Sequence, residues 1–134
     1  MNGETSIEKL LQSMQPVLNE GEYVFTHGAG PHTLNSEQVI ASFREHEGWT
    51  VIVERKVADE LSLPYQYVCA WITLTVHSSL EAVGLTAAFA TALGNAGISC
   101  NVMAAYYHDH IFVGVKDADK AMAVLAALSG SAGH

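Results

Sequence analysis

The order of hydrophobic periods predicts an α+β protein with antiparallel sheets, and three observations carry that expectation. Residues 67–76 alternate strictly, with Val68, Ala70, Ile72, Leu74 and Val76 on one face and Tyr67, Cys69, Trp71, Thr73 and Thr75 on the other. A period of two over ten residues marks a strand. Behind it, Leu85, Phe89, Ala92, Leu93 and Ala96 fall at helical spacing, and Gly97 supplies the stop. Two more extended runs and a second amphipathic segment follow. The second half therefore reads β-α-β-β-α, the order of a ferredoxin-like split βαβ unit with helices packed on one sheet face.

Taken in chain order, residues 5–14 predict a short helix. Ile7, Leu10, Leu11 and Met14 form its apolar stripe, Thr5 or Ser6 can cap it, and Pro16 ends it. Residues 22–27, rich in Tyr, Val and Phe, predict a strand, entered through Asn19-Glu20-Gly21. Gly28-Ala29-Gly30-Pro31-His32 is a breaker cluster and therefore a loop. Residues 39–46 and 49–54 predict a hairpin turning at Glu47-Gly48, and a short helix at 57–61 is followed by Pro64. In the second half, Ser78 with Glu81 three positions later forms a capping box that opens the central helix. Residues 98–106 and 111–115 predict strands joined through His108-Asp109-His110. Asp117 caps a last helix buried at Ala118, Ala121, Met122, Leu125 and Leu128 and ended by Gly130.

A shift of 62 positions aligns Ile40 with Val102, His46 with His108, Glu47 with Asp109, Val51 with Val113 and Val53 with Val115. Hairpin, acidic turn, apolar strand and helix thus recur in register. The chain divides into a first lobe, 1–64, whose crossover helix is replaced by the Gly-Pro loop, and a second lobe, 65–134. A lobe of this size is marginal alone, so the two are expected to share a sheet or pack face to face.

Composition narrows the function. The chain has 134 residues, with 49% hydrophobic and 15% charged positions, and its mean hydropathy is +0.19, which argues against disorder. Fourteen acidic against six basic residues leave a net charge of −8. That excludes nucleic acid and anionic membrane surfaces as main partners, since both require clustered Lys and Arg. No apolar run reaches the roughly 20 residues of a membrane span. The acidic first residues lack the apolar core of an export signal, so a cytoplasmic protein with Cys69 and Cys100 as free thiols is expected.

Nucleophile-elbow, zinc-protease, P-loop and dinucleotide motifs are all missing from the sequence. No catalytic residue, metal or cofactor is therefore assigned, and the chain is expected not to be an enzyme. His108 and His110, spaced i and i+2, could present two imidazoles on one face of a strand, with His46 or His77 nearby. The same residues also read as exposed imidazoles flanking a turn at Asp109. A metal- or thiol-dependent enzyme around His108, His110 and Cys100 is the least favoured reading.

The junction of strand and central helix is the most suggestive segment. A helix N-terminus presents unpaired N–H groups and about half a positive charge, which suits a carboxylate or phosphate. His77, Ser78 and Ser79 lie there, with Val83, Gly84 and Leu85 one turn in, and Gly84 leaves room for a close approach. Ile98, Ser99, Cys100 and Asn101 open the next strand. Asp109, or Glu47 in the first lobe, could balance an ammonium. Together these residues form a candidate site for a free amino acid. They equally suffice as a helix cap against which nothing binds.

Val83-Gly84-Leu85-Thr86 followed by Ala92-Leu93-Gly94-Asn95-Ala96-Gly97-Ile98-Ser99-Cys100-Asn101 resembles the ACT-domain signature, in which a strand-ending turn leads to a Gly-Leu helix start and an alanine-glycine-isoleucine exit. The run from Cys69 to Leu85, with Tyr107-His108-Asp109-His110-Ile111-Phe112-Val113, Met14-Gln15-Pro16-Val17-Leu18-Asn19 and Phe43-Arg44-Glu45-His46-Glu47-Gly48, resembles small stand-alone bacterial ACT-like proteins of unknown function. The wider signature carries an acidic residue and often Pro-Gly before the helix, where this chain has Ser78-Ser79 and Val83-Gly84. The resemblance implies tandem ACT-like βαββα lobes that bind small ligands, usually amino acids, near the first strand–helix turn at lobe or subunit interfaces. It implies a non-enzymatic, regulatory role exerted on a separate partner protein. A ligand-free protein–protein interaction module is the alternative. Open sheet edges and helix faces predict a homodimer or higher homo-oligomer.

Overall fold

A computed structural model of the chain describes residues 7–75 and 84–132. It forms two compact units, Glu20–Ala70 and the pair of segments Met1–Asn19 and Trp71–His134. Residues 7–18, which the sequence reading assigns to the first lobe, thus pack with the C-terminal half.

In the unit Glu20–Ala70, strand β2 (Tyr23–His27) lies between β4 (Gly48–Glu54) and the first residues of β5 (Val68–Thr75), with β3 (Val39–Glu45) outside β4. All these pairings are antiparallel. The β3–β4 hairpin turns at His46-Glu47, and Gly48 takes φ +140°, a left-handed backbone that favours glycine. Alternation sends Val51 and Val53 inward with Val24, and helix α2 (Arg55–Glu60) covers them with Val57 and Ala58. Two short 3-10 turns, Pro31–Thr33 and Ser36–Gln38, occupy the segment between β2 and β3. Buried Thr26 satisfies its hydroxyl by donating to the Pro64 carbonyl at 2.6 Å, as a buried polar group must.

The other unit contains helix α1 (Ile7–Ser13), strand β1 (Gln15–Leu18), the rest of β5, helix α3 (Leu85–Asn95), strands β6 (Cys100–Ala104) and β7 (Asp109–Gly114), and helix α4 (Ala118–Ala132). Its strands run in the order β6-β7-β5-β1. Numbered from β5, that is 2-3-1-4, the ferredoxin-like arrangement, with β1 from the chain start as the fourth strand. β1 pairs antiparallel with β5 from Gln15↔Thr75 to Leu18↔Ile72. Taken locally, Pro16 ends a helix. In fact it sits in this outer strand, where its missing N–H leaves no interior ladder bond unmade. Leu10 and Met14 of the N-terminal segment, Leu85, Phe89 and Leu93 of α3, Ala121 and Leu125 of α4, and Ile72 and Leu74 of β5 form the buried core.

Two further boundaries differ from the sequence reading. The β6–β7 connection runs through residues 105–108, closed by the Ala105 N–H donating to the His108 carbonyl at 3.0 Å. Asp109 and His110 therefore belong to β7 rather than to the turn. Helix α4 continues through Gly130 to Ala132, because glycine ends a helix only where the chain needs a left-handed residue. The expected Ser78–Glu81 capping box lies outside the described residues. Within them, α3 starts from Gly84, at φ +95° and without a side-chain cap.

Phe89 is fully buried, so Phe89→Ala is expected to lower unfolding free energy by about 3–5 kcal/mol. Urea denaturation tests this, and a loss under about 1 kcal/mol would contradict the packing described.

Candidate functional site

The residues expected to bind a ligand are distributed as follows. His77, Ser78, Ser79 and Val83 lie outside the described residues. Gly84 is the left-handed residue before α3, and a Cβ there would meet the Ile7 side chain at 3.4 Å. Leu85 and Ile98 are buried among core side chains. Ser99, just before β6, and Asn101 are exposed, and Cys100 at the start of β6 is half-buried. Asp109 is elsewhere. Cys100 pairs with Val113 and Asp109 with Ala104, four steps further along the hairpin, which is about 13 Å of strand. Ile98–Asn101 thus form one group and Asp109 another.

Asp109 adjoins, beside His110, a polar network across β5 and β7. The Trp71 indole N–H donates to His110 Nδ1 at 3.0 Å. A nitrogen that accepts this bond holds a lone pair, so the ring proton sits on Nε2 and the imidazole is neutral. Thr73 Oγ1 lies 3.2 Å from the same Nδ1. The Asn19 amide donates to Thr73 Oγ1 at 2.9 Å and to the Trp71 carbonyl at 3.1 Å, which leaves the Thr73 proton to point at His110. Burial and then the neighbouring His108 push the His110 pKa down, against the pull of Asp109. Burial pushes the Asp109 carboxyl up, against both histidines. The His108 and His110 ring centroids are 6.5 Å apart, and His108 Nδ1 is buried without a hydrogen-bond partner among the described residues. No group of three or more His, Cys, Asp or Glu among the described residues could hold a metal ion. Both cysteines are free thiols. Burial raises the Cys69 thiol to about 12 and also raises that of Cys100, which disfavours the thiolate a nucleophile requires.

A concave site exists in the unit Glu20–Ala70. Where β2 ends, the Gly28-Ala29-Gly30 loop faces the β3–β4 turn across a cleft of about 380 Å³, lined also by His27, Glu45, Glu47, Trp49 and Thr50. This is the exit of the unit's first strand. Ladder register builds it, because His27 lies opposite Thr50 and Glu45 opposite Gly48. Gly28 takes φ +92°, and a Cβ on Gly30 would lie 2.5 Å from the His32 ring and 3.1 Å from the Trp49 indole. Only glycine lets the loop press against Trp49 this closely. The Thr50 hydroxyl donates to Glu45 Oε1. Glu47, singled out in the sequence as a possible counter-charge, is among the lining residues. His27, Glu45, Trp49 and Thr50 were not anticipated. A glycine cluster directly after a strand was the available signal, but their convergence depends on pairing across more than twenty residues.

Two ACT-domain family models match the chain, one over residues 2–70 and one over residues 66–127. The chain belongs to the ACT-domain family. Such domains are typically regulatory modules that bind amino acids and oligomerise. This ACT protein is 50% identical to a Vibrio cholerae protein of unknown function described as a possible transport protein, with a TM-score of 0.82 over 93% of this chain and 97% of that one. Structures with lower identity share the fold alone. An Agrobacterium tumefaciens protein has 14% identity and a TM-score of 0.61 over 87% of this chain and 89% of its own. The aspartokinase alpha and beta subunits have 10% identity and a TM-score of 0.59 over 84% of this chain and 95% of theirs. Comparison with curated proteins returns no match. No helix among the described residues is long and apolar enough to cross a membrane.

The His110 arrangement gives a signed pH dependence. Its folded pKa lies below the ordinary 6.5, so the unfolded chain takes the proton first and stability falls as pH drops through that value. Asp109 acts oppositely and lower, between its raised pKa and the ordinary 3.8, where protonation favours the fold. Urea midpoints are expected to fall between about pH 7.5 and about pH 5.5, and to fall less in His110→Gln. Equal falls would refute the assignment.

Proposed function

We propose that this ACT protein is a non-catalytic cytoplasmic regulator that binds an amino acid or similar zwitterion and transmits its presence to a separate partner protein. The observation that carries this reading is the cleft of about 380 Å³ at the exit of β2, in a chain matched by tandem ACT models. The reading assigns lobes 1–64 and 65–134, each with its ligand position after the first strand. In the second lobe the reading assigns the ligand carboxylate to the segment that holds His77, Ser78, Ser79, Val83, Gly84 and Leu85, and adds Ile98, Ser99, Cys100 and Asn101 to the set. Asp109, about 13 Å along the hairpin from Cys100, belongs to the set only through a ligand long enough to reach it. A homodimer or higher homo-oligomer is the proposed assembly, and ligand acts by favouring one arrangement of lobes or subunits over another.

A second reading, a ligand-free interaction module, draws support from exposed apolar side chains. Phe43 on β3 is 64% exposed, and Tyr106 and Tyr107 at the β6–β7 turn are 78% and 79% exposed.

A thermal-shift panel of the common amino acids, with light scattering on the same samples, separates the two. A ligand present at about 100 times its Kd adds about 2.7 kcal/mol of stability. At least one amino acid is expected to raise the melting temperature. A flat panel confirmed by calorimetry, with a partner captured equally well in metabolite-free buffer, would leave the interaction module standing instead.

A further inference from the structure

The β2-exit cleft has a chemistry of its own. Two carboxylates, Glu45 and Glu47, line it with the Trp49 indole, His27 and Thr50, and neither Lys nor Arg is among the lining residues. Arg44 pairs with Trp49 in the β3–β4 register but is not part of the lining. The Glu47 carboxylate has no hydrogen bond or ion pair among the described residues, while Glu45 keeps one oxygen on Thr50. An incoming carboxylate would meet like charge here. An ammonium would meet two opposite charges beside the Trp49 indole, and aromatic rings attract cations. The chain's net charge of −8 favours the approach of cations over anions.

We propose that this cleft binds a protonated amine, held by the Glu45 and Glu47 carboxylates and packed against Trp49. The proposal rests on the regulatory reading above and deepens it by naming the chemical group that the unit Glu20–Ala70 selects. The Gly28-Ala29-Gly30 loop forms the opposite wall and holds the indole in place from the side of Gly30. The amine can come from the side chain of a basic amino acid or from a free diamine, and the two differ in whether a carboxylate accompanies it.

Calorimetric titration of the full chain with L-lysine, 1,5-diaminopentane and glutarate tests this. Both amines are expected to bind, with affinity falling as salt rises, and glutarate is not. Glu47→Gln is expected to weaken amine binding about fivefold, since a solvated charge pair contributes up to about 1 kcal/mol. Trp49→Leu is expected to weaken it to a similar degree, and Glu45→Gln/Glu47→Gln to abolish it. Circular dichroism melts confirm that each variant is folded, and quenching of tryptophan fluorescence that is present in the unmutated chain and lost in Trp49→Leu gives a second readout. The inference is overturned if glutarate binds as well as the amines, if no amine binds, or if the double variant binds unchanged. Lysine binding that ignores the double variant would overturn this site and leave the amino-acid reading intact. Diamine binding lost in the double variant, beside a flat amino-acid panel, would uphold the site and overturn that reading.

Discussion

The pairing of β1 with β5 is the constraint on which the unit built from both chain ends depends. A β-α-β-β-α segment lacks the fourth strand of its fold, and one flank of its first strand would otherwise present unpaired N–H and C=O groups. Residues Gln15–Leu18 fill that flank, although they lie more than fifty positions upstream. The pairing also fixes α1, because the turn from Ser13 into Gln15 leaves no slack, and the Ser129 hydroxyl donates to the Met14 carbonyl from α4. At the far end of β1, Asn19 bonds the Trp71 carbonyl through both its backbone N–H and its side chain. Local helix propensity plays a small part here. The seven residues of α1 are too few to be helical alone and depend on burial of Leu10, Leu11 and Met14.

The same pairing sets the polar network of β5 and β7. Asn19 occupies the acceptor side of Thr73, Thr73 and Trp71 both address one nitrogen of His110, and the imidazole is thereby held neutral. Two histidines and an aspartate in three consecutive positions suggest a metal site when seen only as sequence. In the folded chain they are divided between a connection and a strand, and the best-placed nitrogen already accepts the Trp71 N–H. Hydrogen bonding removes a ligand that spacing alone offers.

The unit Glu20–Ala70 keeps the strand order of its partner but not its crossover helix. Two 3-10 turns and a glycine loop take that place. A helix after the first strand would direct amide N–H groups at a ligand and favour an anion. Here a glycine loop faces two glutamates and a tryptophan instead.

Much of the fold was legible because its information is local. Alternation in Ala70, Ile72 and Leu74, the hairpin at Gly48, and the apolar stripe of Leu85, Phe89 and Leu93 each specify an element within a few residues. The acidic balance and the ACT-like run around Gly84 were equally available to inspection. Tertiary structure alone decided what depends on a partner distant in sequence. Pro16 reads as a helix stop until β5 lies beside it. Asp109 reads as a turn residue until the β6–β7 register extends the strand through it. Glu45 and Trp49 carry no binding signal until β2 brings the glycine loop opposite them. Periodicity records which face a side chain takes, whereas register and burial decide which side chains meet, and these are set by long-range pairings that a local pattern does not contain.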